Sequence, residues 1–385
     1  MIYLDYNATS NCDPEVLDHM IPYFSGEFAN PSSNHALGWS VNQALIDSKS
    51  KIADILGVEK DEIIFTSGST EGINMILKSL FFLRDKNKNH IITTKTEHKA
   101  VLDTCYWLSN QGAFITYLDV DNQGKIDFDQ LDSCITDKTF LVSIILANNE
   151  TGYIQPISEI KEICLKYNVP LFSDTTQAVG KIKLEKFIPF VDYACFSAHK
   201  FYGPKGIGFV YQNKNSFNSL DAFIHGGGQQ NGFRGGTLNT PLIIGAGKAF
   251  EITASNFVSD FKKMKKLRDR LESGLLIQDK VKINCYKQER LINTTNISIE
   301  YVDGDELMRS LRTKIALSNG SACNSESVNP SHVLIAMGLD TALAFSSLRI
   351  SLGKNTTENE IDKAVDIISS EVQKAREKNI LWKKK

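Results

Sequence analysis

A lysine follows a strongly apolar segment in the sequence "CFSAHKFYGPKGIGFVY". The pattern predicts a strand that ends near Ser197, with His199 and Lys200 next and a glycine- and proline-containing turn beyond them. A lysine there is costly to bury unless its amine has a chemical task, and lysine amines form Schiff bases with carbonyl compounds. An ordinary surface lysine is the alternative.

A carboxylate ends a second predicted strand, in "LFSDTTQAVGK". Asp174 is the last residue of that strand, and Gln177 follows three residues later. Side chains at the carboxyl ends of strands in open α/β sheets face the crevice where ligands bind. The alternative is that Asp174 caps a helix.

A third segment, "FTSGSTEGIN", predicts a strand, a short turn and an amphipathic helix. Ser69 and Thr70 would lie where the free N–H groups of a helix N-terminus bind a phosphate. Simple capping of the helix by one of these hydroxyls is the alternative.

These three features together are the parts of a pyridoxal phosphate site. The lysine forms the Schiff base, the carboxylate keeps the pyridine nitrogen protonated, and the helix terminus anchors the phosphate. Their combination favours this cofactor over the three separate alternatives.

One thiol lies in a segment of small polar residues, "ALSNGSACNSES". Glycine and serine around Cys323 predict an exposed, mobile loop, whereas most of the other six cysteines lie in apolar or helical contexts. From this segment alone, Cys323 is either a reactive thiol or an incidental surface thiol.

The elements that must position these residues alternate between strands and helices. Strands are predicted at "EIIFT", "HIITT", "FITYLDV", "TFLVSIILAN", "PLFSD", "DYACFSA" and "GIGFVY", with helices near 98–111 and 157–167. Such alternation predicts a mostly parallel, doubly wound α/β sheet.

The pattern changes near residue 256, where a long amphipathic helix begins. We assign 13–255 to a large domain, and 1–12 with 256–385 to a smaller domain that carries the Cys323 loop. The last helix is predicted to begin with a capping box formed by Thr357 and Glu360.

Composition excludes several classes of protein. A net charge of −2 over 385 residues gives no general attraction to nucleic acid or to an anionic membrane. The seven cysteines are widely spaced, which argues against a disulfide framework or a metal site. The start "MIYLDYNATS" has no signal-peptide pattern, and no apolar run reaches bilayer length, so a cytoplasmic protein is expected.

The segments above resemble those of a known enzyme family. "NPSSNHALG", "SGSTEGIN", "NNETGYIQPI", "SAHKFYGPKG", "FRGGT", "GSACNS" and "SSLRISLG" resemble the cysteine desulfurases of the NifS/IscS-like branch in order and spacing. The resemblance implies the type I fold of pyridoxal phosphate enzymes, with a seven-stranded, mostly parallel sheet and a smaller α+β domain.

The resemblance also implies roles for single residues around the cofactor ring. Lys200 would form the Schiff base, Asp174 would pair with the pyridine nitrogen, and Gln177 would bond the ring hydroxyl. His98, in "KTEHKAV", would stack on the ring face.

Further roles implied by the resemblance concern the phosphate, the substrate and the oligomer. Thr237 would reach the phosphate of the neighbouring subunit in a homodimer, while Asn149 and Arg349 would orient the carboxylate of L-cysteine. The residues that would hold the phosphate within the subunit are Ser69, Thr70, Ser197 and His199.

In such an enzyme Cys323 would take the substrate sulfur as a persulfide while L-alanine leaves. The mobile loop then suits a sulfur that reacts in the pocket and moves out to an acceptor protein.

The sequence departs from the family pattern at two places. The glycine-rich stretch "GGGQQNGFRGGT" has Gln230 where the family has an acidic residue, followed by Asn231. The Cys323 loop has Asn319 and Asn324 where small hydroxyl residues are commoner. Neither departure removes a group that the mechanism needs.

Other interpretations remain open on the sequence. An aminotransferase would not need Cys323, a selenocysteine lyase should not depend on it, and a partner-binding scaffold would not need the site residues.

The end at "KNILWKKK" and the phrases "NETGYIQPI" and "DTTQAVGK" favour a dedicated sulfur pathway such as bacterial DNA phosphorothioation. Supply for iron–sulfur clusters or tRNA thiolation is the alternative.

Overall fold

The computed structural model describes residues 1–216, 219–319 and 329–383. It opens with β1 (Ile2–Tyr3), α1 (Pro14–Met20), α2 (Pro22–Ser25) and α3 (Ala36–Leu56). The side chain of Asp13 caps α1, and proline occupies its first position, where a missing N–H costs nothing. Gly57, at φ 71°, ends α3 in the left-handed conformation that glycine adopts without strain.

A seven-stranded sheet forms the centre of the molecule. Its order is β2-β8-β7-β6-β5-β3-β4, and β8 is antiparallel to both neighbours while the other pairs are parallel. The strands are β2 (Ile63–Thr66), β3 (His90–Thr94), β4 (Phe114–Leu118), β5 (Thr139–Ser143), β6 (Leu171–Asp174), β7 (Tyr193–Ser197) and β8 (Gly208–Gln212).

Helices cover both faces of this sheet, because successive strand residues point to opposite sides. Leu171 belongs to one apolar cluster and Phe172 to the other, and each cluster is closed by different helices. The helices that follow α3 are α4 (Ser69–Leu83), α5 (Lys99–Ser109), α6 (Phe128–Cys134), α7 (Ile157–Lys166) and α8 (Thr240–Ser255). The first two cover one face, and the others cover the opposite face together with α1 and α3.

A second, four-stranded antiparallel sheet lies in the C-terminal part of the chain, in the order β12-β13-β10-β9. The elements are α9 (Phe257–Leu275), β9 (Val281–Ile283), β10 (Thr294–Ile299), α10 (Gly304–Leu311), β11 (Ile315–Ala316), β12 (Ser318–Asn319), α11 (His332–Ala336), α12 (Thr341–Phe345), β13 (Leu348–Ser351), α13 (Glu358–Lys378) and α14 (Ile380–Lys383). Leucine side chains of α9 and the apolar face of α13 pack in one cluster with this sheet. β1 pairs in parallel with β11, so the start of the chain joins this part of the molecule.

The predicted fold class is confirmed. The one clear difference lies in "TFLVSIILAN", where β5 ends at Ser143 although the apolar run continues to Ala147. The chain still runs alongside β6 there, because the backbone N–H groups of Ile144 and Leu146 donate to the carbonyls of Phe172 and Asp174, and these later residues stay buried. The capping box of Thr357 and Glu360 is present.

The domain boundaries stay a proposal. The change from α8, which ends at Ser255, to α9, which begins at Phe257, supports the boundary near 256. In the part of the chain that is described, no helix has the combination of length and apolar character needed to cross a bilayer.

Candidate active site

A cavity of about 530 Å³ lies where β6 and β7 end and α4 begins. It collects side chains from segments far apart in sequence, including the N-terminal residues Asn7 to Thr9. The predicted site residues that line it are Ser69, Thr70, His98, Asn149, Asp174, Gln177, Ser197, His199, Lys200 and Arg349.

Lys200 reaches this cavity from a 3₁₀ turn that follows β7 directly. Its Nζ donates hydrogen bonds to the backbone carbonyls of Asn7 (2.6 Å) and Ala8 (2.7 Å). The side chain is half-buried and lines the cavity, which argues against an ordinary surface lysine.

Asp174 is the last residue of β6 and only 5% exposed. Its Oδ1 accepts the backbone N–H of Thr176 at 2.9 Å, in a turn that no helix follows directly, so the helix-cap alternative is wrong. The Thr176 hydroxyl lies within hydrogen-bond distance of both Asp174 Oδ1 and Ser69 Oγ. Because it carries one proton, it donates to the carboxylate and accepts from Ser69. This hydroxyl therefore links the carboxylate to the start of α4.

The turn before α4 has the form expected for an anion site. Gly68 is the N-cap residue at φ 153°, and no side chain caps the helix, so the capping alternative for Ser69 and Thr70 is wrong. A Cβ on Gly68 would approach Ser197 Oγ to 3.4 Å, so a side chain there would project into the cavity wall. The first N–H groups of a helix have no partner within it and are available to a phosphate.

A partly buried ion pair supports the same turn. Glu71 accepts the backbone N–H of Ser67 at 2.8 Å and pairs with Arg234 at 3.0 Å. Burial raises the pKa of Glu71, but the hydrogen bonds from Arg234 and Ser67 outweigh it and leave the pKa below its usual value. The pair thus joins α4 to the glycine-rich stretch without adding net charge.

Two histidines have lowered pKa values in the cavity. Burial, then the charges of Lys200, Lys205 and Lys181, lowers the pKa of His199 to about 4, and its Nδ1 lies 3.0 Å from Thr9 Oγ1. Burial also lowers the pKa of His98, whose Nδ1 accepts the backbone N–H of Ala100 at the start of α5. Both rings are therefore neutral near pH 7.

Arg349 enters from β13 and lies beside the first residues of the chain. Its Nη2 donates to Asp5 Oδ1 and Ser318 Oγ, each at 2.8 Å. Its Nε is buried with no hydrogen-bond partner among the described residues. A guanidinium with an unused buried N–H, such as that of Arg349, can bind a carboxylate. Nearby, the backbone oxygen of Asn149 accepts a hydrogen bond from Asn7 Nδ2 at 3.1 Å.

Comparison with known proteins identifies the family. The model of the class-V aminotransferase family matches residues 2–364. A cysteine desulfurase IscS of Histophilus somni is 44% identical over 384 residues, covering 99% of this chain and 95% of the relative. The chain belongs to the cysteine desulfurase family.

Solved structures agree with this family assignment. A NifS-like protein superposes with a TM-score of 0.89 at 39% identity, over 97% of this chain and 99% of its own. The structure of SspA in complex with cysteine gives a TM-score of 0.80 at 37% identity, over 93% and 100% of the two chains.

Thr237 and Cys323 are predicted site residues of this cysteine desulfurase family member that the described cavity lining does not test. Thr237 is exposed and lies outside the cavity lining, so its predicted contact with a second subunit stays a prediction. Cys323 lies outside the described residues, as does Asn324.

Gln230, which stands where the family has an acidic residue, makes two hydrogen bonds that fix its side chain. Its side-chain amide accepts from the backbone N–H of Phe65 at 2.7 Å and donates to the carbonyl of the same residue at 2.8 Å. Phe65 lies in β2, which is an edge strand of the large sheet. A glutamine can make both bonds, whereas an ionised carboxylate could make only one.

Sequence reasoning missed several members of the site of this family member. Asn7 and Thr176 had no recognisable pattern, because Lys200 and Ser69, which they contact in the site, lie more than a hundred residues away from them in the chain. Lys181 was visible in "DTTQAVGK", and its position shortly after a strand-end carboxylate was the available signal.

The described residues fit pyridoxal phosphate. A strand-end carboxylate, a half-buried amine and an uncapped helix N-terminus line one cavity, and these are the donors that the ring nitrogen, the aldehyde and the phosphate require. Because Gly68 has no side chain, the space between this turn and the Ser197 hydroxyl stays open.

Proposed function

We propose that this protein is a pyridoxal phosphate-dependent cysteine desulfurase. It takes sulfur from L-cysteine, releases L-alanine and holds the sulfur on Cys323 as a persulfide before transfer to an acceptor protein. The observation that carries the proposal is that Lys200, Asp174 and the first turn of α4 line a single cavity.

Each proposed cofactor contact uses a residue of that cavity. Lys200 would bond covalently to the cofactor, Asp174 would pair with its pyridine nitrogen, Gln177 would bond its ring hydroxyl, and His98 would stack on its ring. Its phosphate would be held by Ser69, Thr70, Ser197 and His199, which line the same cavity. A neutral His199 suits this, since its ring keeps one N–H donor at pH 7. The chemistry that bound pyridoxal phosphate supplies is an electron sink for charge developing on the substrate Cα.

The protein residues bind the substrate and move its protons and sulfur. Arg349 and Asn149 orient the carboxylate, and the unpartnered Nε of Arg349 supports this assignment. The amine of Lys200 removes the Cα proton. The Cys323 thiolate attacks the substrate sulfur, so that an S–S bond forms while the C–S bond breaks. Protonation of Cβ and return of a proton to Cα then give alanine.

The first experiment tests the attachment of the cofactor. Borohydride reduction of the wild type should fix the cofactor to Lys200, as detected by peptide mass spectrometry. Lys200→Ala should bind the cofactor only noncovalently and release no sulfide from L-cysteine. A reducible linkage that persists in Lys200→Ala would refute the assignment of this lysine.

A second experiment distinguishes the desulfurase from its rivals. Cys323→Ser should keep the cofactor absorption but release no sulfide, because the acceptor thiol is missing. If Cys323→Ser still produced alanine from selenocysteine at the full rate but none from L-cysteine, the protein would be a selenocysteine lyase. Transfer of the amino group to an oxo acid would identify an aminotransferase. A wild type that catalyses none of these reactions would be a scaffold.

We also propose a cytoplasmic homodimer that supplies one dedicated sulfur pathway, such as DNA phosphorothioation. Supply of sulfur to iron–sulfur clusters or to tRNA is the alternative. The test is deletion of the gene, followed by measurement of phosphorothioate in genomic DNA and of iron–sulfur enzyme activity. Unchanged phosphorothioate with a loss of cluster enzymes would overturn the dedicated pathway and leave the desulfurase proposal intact.

A further inference from the structure

A second lysine lies behind the cavity wall. Lys181 follows Gly180 in the turn segment after β6 and is 7% exposed. Its Nζ donates to Gln177 Oε1 at 2.7 Å, and none of the described acidic side chains forms an ion pair with it. Burial, then the charge of Lys200, lowers its pKa to about 7. A buried amine without a counter-charge is expensive, which raises the question of its purpose.

The partners of Gln177 determine which way its amide points. Its Nε2 lies 3.0 Å from the backbone carbonyl of Asn7, which can only accept. The amide oxygen must therefore face Lys181, whose amine donates whether it is charged or neutral. The amide nitrogen keeps a second hydrogen, and Gln177 lines the cavity.

A reversed amide would be unfavourable at both ends. The oxygen would face the Asn7 carbonyl with no hydrogen between them, at a cost of about 1–3 kcal/mol for unsatisfied buried groups. Without Lys181 the oxygen loses its partner. The contact with Asn7 then holds only one end of the amide, so the second N–H is no longer held towards the cavity.

We propose that Lys181 is a positioning residue that holds the Gln177 amide with its nitrogen, and not its oxygen, available to the ring hydroxyl oxygen of pyridoxal phosphate. This inference rests on the proposed function. Lys181 touches neither cofactor nor substrate in this account and acts only through Gln177.

The consequence is a change in how tightly the bound cofactor holds its proton. A donor on the ring oxygen stabilises negative charge there and weakens that oxygen as a partner for the proton on the linkage to Lys200. When the donor is lost, that proton is held more strongly, and the cofactor absorption band titrates at higher pH. The other titratable or charged groups that line this cavity are Glu71, His98, Asp174, His199, Lys205 and Arg349.

The experiment compares Lys181→Met in two backgrounds, using the holoenzyme. In the wild-type background the midpoint of the absorption titration should rise by about one unit. In the Gln177→Leu background the same substitution should cause no further shift, because its only route of action is gone. If Lys181→Met does not fold, Lys181→Leu replaces it.

A second measurement uses cofactor affinity. Lys181→Met should weaken the binding of pyridoxal phosphate about tenfold, the equivalent of one hydrogen bond to a charged group. Its affinity for 3-deoxypyridoxal phosphate, which lacks the ring hydroxyl, should equal that of the wild type.

Three results would overturn the proposal. An unchanged titration midpoint would mean that Lys181 only fills space, and equal shifts in both backgrounds would mean that its charge acts directly on Lys200. Equal losses of affinity for the two cofactors would exclude the ring oxygen as the target. A wild type without any titrating cofactor band would instead refute the proposed function, so the two failures are distinguishable.

Discussion

At the scale of single residues, the Thr176 hydroxyl is the link between the carboxylate and the phosphate-binding turn. Thr176→Val keeps the shape but removes the hydrogen bond to Asp174 and the contact with Ser69. We expect binding of pyridoxal phosphate to weaken about tenfold, since a hydrogen bond to a charged group contributes roughly 1.5–3 kcal/mol. Fluorescence titration of the apoprotein measures this.

Thr175→Val is the matched control for this prediction. The Thr175 hydroxyl donates to the Cys195 carbonyl at 2.7 Å, and this residue is buried but does not line the cavity. It should lower stability by about 1 kcal/mol without changing cofactor affinity. Equal loss of affinity in both variants would contradict the specific contribution of Thr176.

His199 makes the apoprotein sensitive to acid. Its pKa of about 4 lies below the 6.5 of an unfolded histidine, so between these values the unfolded chain binds more protons. Stability should therefore be complete above pH 6.5 and fall as the pH drops towards 4. Between pH 7 and pH 5 the urea concentration at the unfolding midpoint should fall less in His199→Gln than in the wild type.

His19→Gln, at an exposed position, is the control, and its midpoint should fall as much as that of the wild type. The same loss in His199→Gln as in the wild type would contradict the prediction.

At the scale of elements, Gln230 joins the glycine-rich stretch to the edge strand β2. Gln230→Glu keeps the size but places an anion against the Phe65 carbonyl, so we expect a thermal midpoint lower by several degrees, equivalent to about 1–3 kcal/mol. Calorimetry measures this, and the loss should diminish at low pH, where the carboxyl group regains a proton to donate.

Gln229→Glu is the matched control for Gln230. Gln229 Oε1 only accepts, from the backbone N–H of Gly236 at 2.9 Å, and a carboxylate can replace it in that bond. This variant should keep the wild-type midpoint. Equal destabilisation by the two substitutions would mean that the charge, and not the paired amide contact, matters.

At the scale of the whole molecule, Thr237 tests whether the cofactor sites are shared between two subunits. In its own chain Thr237 is exposed and outside the cavity. Thr237→Ala should therefore weaken cofactor binding through the partner subunit, whereas Thr313→Ala, at another exposed position, should not. Light scattering should give the mass of a dimer.

A mixed dimer makes this test sharper. When Thr237→Ala and Lys200→Ala chains carry different tags and are co-purified, the site with an intact Lys200 receives an intact Thr237 from the other chain. That site should bind the cofactor with wild-type affinity. Weakened binding in the mixed dimer, or a fully active monomer, would show that Thr237 acts within its own chain or not at all.

Local patterns in the sequence were enough to predict the cofactor and the class of fold. The period of apolar residues identified the strands and helices, and Lys200, Asp174 and Ser69 were recognisable because each lies where a strand ends or a helix begins, positions that depend on local pattern alone. The capping box at Thr357 was equally local.

The residues that complete the site from distant parts of the chain became visible only in the folded molecule. Asn7 meets Lys200, Thr176 meets Ser69, and Gln230 meets Phe65 across separations of more than a hundred residues, and no local pattern records such contacts. The state of Lys181 is of the same kind, because its lowered pKa arises from burial and from a lysine brought near it by the fold. Hydrogen bonds and burial depend on the packing of the whole chain, whereas helix and strand patterns depend on a few neighbouring residues.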